Sequence, residues 1–209
     1  MLVATAILVA DSLVRAEVGV PERARLFVEA PMHAALLFVA PAVLLRCARD
    51  TPLTSFGFAI GRARVWRRDA IILFALLAPL AIASTRLAVV HEQYPRYVFA
   101  RESAFLFAAS TLAMGVHHFA WEGFFRGCIL FGVARREGPV WAIVVSTVPF
   151  ALAHVPKGME ETLASIPGGL LFGVVAWRGR SMLPTWLLHW SLATLVNAVA
   201  ILWPLWPRT

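Results

Sequence analysis

Apolar residues gather along this chain in long continuous runs and do not alternate with polar residues as in a half-buried strand. A helix that crosses the hydrocarbon core of a bilayer needs about 20 mostly apolar residues. The runs of about this length are 28–46, 70–90, 103–134, 139–154, 162–177 and 182–203. A weaker run, 1–14, contains Asp11 and lacks a basic leading region, so it is a poor signal peptide and an uncertain span. The pattern predicts an all-α, polytopic membrane bundle of six or seven transmembrane helices.

Composition agrees with this pattern. Hydrophobic residues make up 60% of the chain and charged residues only 15%, and the mean hydropathy is +0.74, values outside the range of ordinary soluble domains. The sequence contains no Gly/Ser linker, low-complexity tract or internal repeat, so we expect a single transmembrane domain over 1–209. Cys47 and Cys128 lie in or beside separate runs without paired-cysteine spacing. They predict neither a disulfide framework nor a thiolate metal site.

The net charge of +7 does not indicate a nucleic-acid partner, because the arginines lie between apolar runs and form no solvated basic patch. Instead, basic and nearly neutral loops alternate along the chain. The basic loops are 46–69, 135–136 and 178–180, and the more neutral ones are 91–102 and 155–161. The positive-inside rule places the basic loops in the cytoplasm. We therefore expect a multi-pass protein whose first partner is the lipid bilayer.

Several ionisable residues lie inside these runs. Glu122 and Arg126 are four residues apart, and His118 lies one turn before Glu122, so all three share one helix face. His154 lies near the end of the next run and His189 in the last one. Ionisable groups at membrane depth are costly and usually face the bundle interior. We expect Glu122, His154 and His189 to converge on an internal cavity, where they could activate a water molecule and stabilise an oxyanion.

Other functions fit the same residue types. A glutamate and two histidines can bind zinc with one open position, which would make a metalloprotease, although the sequence has no HExxH motif. A proton-relay transporter is a further alternative, but inverted repeats are not evident. The Glu122–Arg126 ion pair could also have a purely structural role and hold its helix against a neighbouring one. No cofactor is predicted.

Three short segments carry a family resemblance. "WEGFFRG", "FALAH" and "LLHW" resemble the three motifs of the CAAX-prenyl proteases and bacteriocin-processing enzymes, which are glutamic-type intramembrane proteases. The family's first motif has two adjacent glutamates and an arginine four residues after the second. Its second motif is Phe-x-x-x-His and its third is His-x-x-x-Asn. The resemblance covers roughly residues 115–200, with a motif core of about 103–203, and implies a site formed by the last four helices.

The resemblance also implies roles for individual residues. In motif order, the matching residues are Glu122 and Arg126, then Phe150 and His154, then His189. In the family, the first glutamate is usually taken as the base that activates water. The implied function is an intramembrane endopeptidase that cleaves near the end of a membrane-anchored peptide or protein substrate.

Two positions depart from the family pattern. Trp121 stands in place of the first glutamate, and Ala193 stands in place of the asparagine, with Asn197 one turn further along. The departures leave two possibilities: Glu122 is the base of a variant subgroup, or the protein is a non-catalytic relative that binds a partner in the membrane. The residues expected to form the catalytic site are Glu122, Arg126, His154, His189 and Asn197.

The family includes many small bacterial membrane proteins, so the resemblance implies a bacterial cytoplasmic membrane. Substrates of related proteins range from prenylated C-termini to peptide precursors and C-terminal sorting signals. No residue of this chain selects among these substrates, and none indicates an oligomeric state.

Overall fold

A computed structural model describes residues 22–43 and 51–202 of the chain, and the weak run 1–14 lies outside them. These residues form helices and contain no strand, which confirms the all-α prediction. The helices are α1 (Glu22–Ala34, continuing as a π-helix over Ala35–Val39), α2 (Ala63–Ser84), α3 (Ala88–Gln93), α4 (Ala104–Glu137), α5 (Pro139–Leu152), α6 (Met159–Gly179) and α7 (Leu183–Leu202). Short 3-10 turns lie at Leu53–Phe56, Val98–Arg101 and Val155–Lys157. The single domain over 1–209 stays a prediction.

Each of the six long apolar runs corresponds to one of the helices α1, α2, α4, α5, α6 and α7. Two of them, α4 and α7, are long and apolar enough to cross a membrane, while α5 and the apolar part of α1 are shorter. The polytopic count of six or seven transmembrane helices therefore stays a prediction.

Two helix boundaries differ from the hydropathy pattern. The first helix begins at Glu22, well before run 28–46, because its polar first turns have partners elsewhere: Arg23 Nη2 lies 2.6 Å from Glu102 Oε2. Run 70–90 is divided, since α2 ends at Ser84 and the Thr85 hydroxyl donates to the Ile82 carbonyl at 2.7 Å. Hydrogen bonding by such a hydroxyl competes with helix continuation.

The central helix is α4, which packs against α1, α5, α6 and α7. It continues without a break through a π-helical stretch, Gly123–Phe131, that begins directly after Glu122. A Cβ at Gly127 in this stretch would lie only 2.7 Å from the Phe58 ring, so a glycine is required for this close approach. π-Helical insertions are rare and often occur at functional sites. Here the insertion begins directly after Glu122 and contains Arg126.

Helices α5 and α6 pack closely. A Cβ at Gly169 would lie 2.7 Å from Thr147 Cγ2, and one at Gly173 would lie 2.9 Å from Ile143 Cγ2. Small residues allow such close helix contacts in membranes, where packing replaces much of the hydrophobic driving force. The contact fixes the position of Phe150, which is one turn from Thr147 on α5.

The basic loops meet at one end of the bundle. The Arg62 N–H donates to the Gly179 carbonyl at 2.7 Å, and Arg135 Nη2 donates to the Ser55 carbonyl at 3.4 Å. At the other end, the Gln93 side chain donates to the Lys157 carbonyl at 2.7 Å. The basic loops thus lie together at one end of the bundle, and the more neutral loops lie together at the other. We call the end that contains Gln93 the neutral end.

The topology can be tested with single cysteines in a chain whose Cys47 and Cys128 are replaced by serine. Cysteines at Arg64 and Arg136 should resist an impermeant thiol reagent in intact cells, because the basic end is expected to face the cytoplasm. A cysteine at Glu92, on the exposed surface of the neutral end, should react. Equal labelling at positions 64 and 92 would contradict the topology, and permeabilised cells supply the control for accessibility.

Candidate active site

Glu122 is fully buried on α4, at the residue before the π-helical stretch. Its Oε1 lies 2.8 Å from Nδ1 of His189 on α7. Because an ionised carboxylate can only accept hydrogen bonds, His189 Nδ1 donates this one. The contact joins two helices, and it leaves His189 Nε2 without a proton in the neutral ring.

Arg126 is also fully buried and compensates the charge of Glu122, since its Nε lies 3.5 Å from Glu122 Oε2. Its Nη2 donates to the Gly169 carbonyl at 3.2 Å, and its guanidinium carbon lies 3.9 Å from the centroid of the Phe150 ring. A guanidinium remains charged in proteins, so Arg126 favours the ionised form of Glu122. The arginine therefore links α4 to both α5 and α6.

His154 lies just beyond α5, and its Nδ1 donates to the Phe150 carbonyl at 2.8 Å. The His154 ring is nearly parallel to the His189 ring, with the centroids 6.3 Å apart and an angle of 17° between the planes. Glu122, Arg126, His154 and His189 are thus brought together as the sequence predicted. Their catalytic roles stay predictions.

Asn197 is placed apart from this cluster. It lies eight residues after His189 on α7, or about 12 Å along the helix axis at 1.5 Å per residue. Its Nδ2 donates to the Ala193 carbonyl at 2.7 Å, and its Oδ1 accepts from the Arg96 backbone N–H at 2.7 Å. Asn197 therefore fastens the loop at the neutral end to α7, and its catalytic role stays a prediction.

Trp121 occupies space next to His154. Its side chain is buried, and its ring lies 5.8 Å from the His154 ring and 6.4 Å from the Phe150 ring, in edge-to-face arrangements. The family's first glutamate is therefore replaced by a large aromatic group in contact with the second-motif histidine. An indole ring has no basic atom that could take a proton from water.

His118 contacts the site although it was absent from the predicted catalytic set. Its ring centroid lies 4.2 Å from that of His189, and its Nδ1 donates to the Met114 carbonyl at 2.8 Å. The sequence signal was its spacing of four residues before Glu122. Spacing alone could not show that α7 brings His189 against the same face.

A cavity of about 60 Å³ lies at the neutral end, next to this cluster. Its lining is mostly polar, so it can hold water. The lining residues are Glu29, Ala30, His33, Gln93, Tyr94, Arg96, Tyr97, Met114, His117, His118, Lys157, Ala193 and Asn197. Glu122, Arg126, His154 and His189 are not among them. His118 thus lies between the cavity and the buried cluster.

The described part of the chain contains no group of three His, Cys, Asp or Glu side chains placed to hold a metal ion. His33 and His117 approach each other, with their Nδ1 atoms 2.8 Å apart, but they form a hydrogen-bonded pair. The expectation that no cofactor is needed stays a prediction.

Residues 101–195 match a family model described as type II CAAX prenyl endopeptidase Rce1-like. The matched range contains all three motif segments and ends before Asn197. No curated protein and no solved structure shows significant similarity to the chain.

Replacing Arg126 by glutamine should strongly destabilise the protein, because Glu122 would remain buried without its compensating charge. Breaking a buried ion pair in this way costs about 3–5 kcal/mol, which unfolding in mixed micelles can measure. The control is Arg23→Gln, which removes an exposed ion pair with Glu102 and should cost at most about 1 kcal/mol. Equal costs for the two variants would contradict the assigned role of Arg126.

Proposed function

We propose that the chain is an intramembrane endopeptidase, because its residues 101–195 match the model of the Rce1-like type II CAAX prenyl endopeptidases. Its substrate is a membrane-anchored peptide or protein, cleaved near one end. The observation that carries the proposal is the 2.8 Å contact between the buried Glu122 carboxylate and His189. A buried carboxylate that orients an imidazole is a recurrent device for proton transfer in hydrolases.

In this proposal, the glutamate activates water through His189. One oxygen of Glu122 accepts from His189 and the other faces Arg126, and the side chain has no exposed surface. The proton acceptor left to the pair is therefore His189 Nε2, and the His189 side chain is 17% exposed whereas that of Glu122 is fully buried. Glu122 holds the ring in this tautomer and stabilises the imidazolium that forms when the ring takes a proton. This differs from the sequence-based expectation that Glu122 takes the proton itself.

Arg126 and His154 support the tetrahedral intermediate. Arg126 Nη1 donates no hydrogen bond within the described residues, so this N–H group and the positive charge of the guanidinium can stabilise a developing oxyanion. Such charge stabilisation is stronger in a site without bulk water. His154 places a second imidazole beside His189. Its free Nε2 can take part in proton transfer to the leaving amine.

A second candidate function is a membrane protein that binds a partner without cleaving it. It is favoured by Trp121, which fills the space beside His154 where the family has its usual base. The polar cavity would then hold a segment of the partner. Cleavage assays distinguish this candidate from the protease.

The proposed substrate and location follow from the family match over residues 101–195. A CAAX prenyl endopeptidase acts on prenylated C-terminal sequences, and we propose a substrate of the same general kind, a short segment next to a membrane anchor. We also propose a multi-pass location in a bacterial cytoplasmic membrane.

Glu122→Gln should reduce cleavage at least 100-fold, because the amide keeps the shape of the side chain but cannot stabilise an imidazolium with a negative charge. The measurement compares membranes from cells that produce wild type or variant, with new peptide ends identified by terminal labelling and mass spectrometry. The matched control is Glu102→Gln, which makes the same chemical change at an exposed residue. Unchanged cleavage by Glu122→Gln would refute the mechanism, and the absence of new ends with wild type would favour the binding function.

Cleavage should persist after thorough chelation. The positive charge next to Glu122 is already supplied by Arg126 at 3.5 Å, and a divalent cation at the same carboxylate would be repelled by it. The assay is repeated after dialysis against EDTA and phenanthroline. Loss of cleavage that stoichiometric zinc restores would instead support the metalloprotease alternative.

A further inference from the structure

His118 connects the cavity at the neutral end with the buried cluster. It contributes to the cavity lining, and its ring centroid lies 4.2 Å from that of His189. The side chain is itself 94% buried, since only 6% of the residue is exposed. A water molecule that enters the cavity therefore meets His118 before it reaches His189.

The hydrogen bonds of both rings determine which atoms remain free. His118 Nδ1 donates to the Met114 carbonyl, and His189 Nδ1 donates to Glu122 Oε1, each at 2.8 Å. A carbonyl oxygen and an ionised carboxylate can only accept, so in both neutral rings the proton is on Nδ1. Each ring is left with Nε2 as a hydrogen-bond acceptor. Two rings with centroids 4.2 Å apart thus offer one acceptor each, which suits a water molecule because it has two hydrogens to donate.

Trp121 and His118 contact different histidines of the buried cluster. The indole packs against His154, whereas His118 approaches His189 from the cavity. The usual glutamate position is thus closed by an apolar ring, and an imidazole that contacts His189 borders the polar cavity.

We propose that His118 is a catalytic residue that holds the hydrolytic water against His189. This inference rests on the proposed function. The water donates one hydrogen to His118 Nε2 and the other to His189 Nε2. His189 takes the second hydrogen as a proton while the water oxygen bonds to the carbonyl carbon of the scissile peptide. When the C–N bond breaks, the amine takes the proton held on His189, and the new carboxyl group keeps the remaining hydrogen until it ionises.

The experiment uses the purified full chain in liposomes. The probe is the membrane fraction of the expression host, and the fastest-cleaved membrane protein that it reveals serves as the kinetic substrate. The variants are His118→Ala, His118→Gln and His91→Gln. His91→Gln is the control because it makes the same substitution in the short helix α3.

Loss of the water-holding group should lower kcat of His118→Ala about 100-fold, with KM within about threefold of wild type. The amide oxygen of His118→Gln can accept a hydrogen bond, so kcat should recover about tenfold relative to His118→Ala. Added imidazole should also raise kcat of His118→Ala, because the cavity adjoins the vacated space. His91→Gln should keep kcat within about threefold. Imidazole can replace the missing side chain of His118→Ala if His118 has a chemical role. It would not restore kcat if His118 only supported the structure.

The outcomes distinguish a failure of the proposed endopeptidase function from a failure of the role of His118. If wild type produces no new peptide ends, the proposed function fails and the inference fails with it. If wild type cleaves but His118→Gln and His118→Ala keep the wild-type kcat, only the role of His118 is refuted. A fall in kcat that is equal in His91→Gln and His118→Gln, without imidazole rescue, also refutes it. Thermal unfolding of each variant in the same liposomes shows whether lost activity reflects lost structure.

Discussion

The buried charge pair of Glu122 and Arg126 constrains the rest of the bundle. Two charges removed from water need compensation from each other and from the groups around them, and for this pair three other helices supply such groups. His189 of α7 binds one carboxylate oxygen, the Gly169 carbonyl of α6 accepts from the guanidinium, and the Phe150 ring of α5 lies against its face. The rotation of each helix around α4 is thereby fixed. The same contacts that satisfy the charges also assemble the proposed catalytic residues.

Close packing between α5 and α6 is a condition for this arrangement. Gly169 has no side chain, and a Cβ there would approach Thr147 within 2.7 Å, so any larger residue would separate the two helices. Separation would draw the Gly169 carbonyl away from Arg126 and move Phe150, whose backbone carbonyl also holds His154. Gly169 thus influences both the contacts of the Arg126 guanidinium and the orientation of His154, although it has no side chain. Its effect on function would appear first as lost stability.

The sequence predicted the helices and the meeting of the motif residues, because both depend on local patterns. Long apolar runs located the six long helices, and the four-residue spacing of Glu122 and Arg126 placed both on one face. The division at Thr85 and the π-helical stretch after Glu122 were not predicted, since they depend on side-chain hydrogen bonds and on the close approach of Phe58 to Gly127. Likewise, the contact of His118 with His189 and the distant position of Asn197 follow from the register between α4 and α7. A single sequence contains no direct signal for that register.

The replacement of the first motif glutamate by Trp121 has an electrostatic consequence for this site. Glu122 and Arg126 together carry no net charge, and a second carboxylate at position 121 would add a buried negative charge that needs another proton or cation. Imidazoles accept a proton from an uncharged state, so His118, His154 and His189 can supply basic atoms without adding charge to the resting site. The indole removes one acidic group and fills its volume with apolar surface. In the proposed mechanism the carboxylate acts through an imidazole, so the site needs only the ion pair of Glu122 and Arg126. The absence of the first motif glutamate is therefore compatible with the proposed hydrolysis.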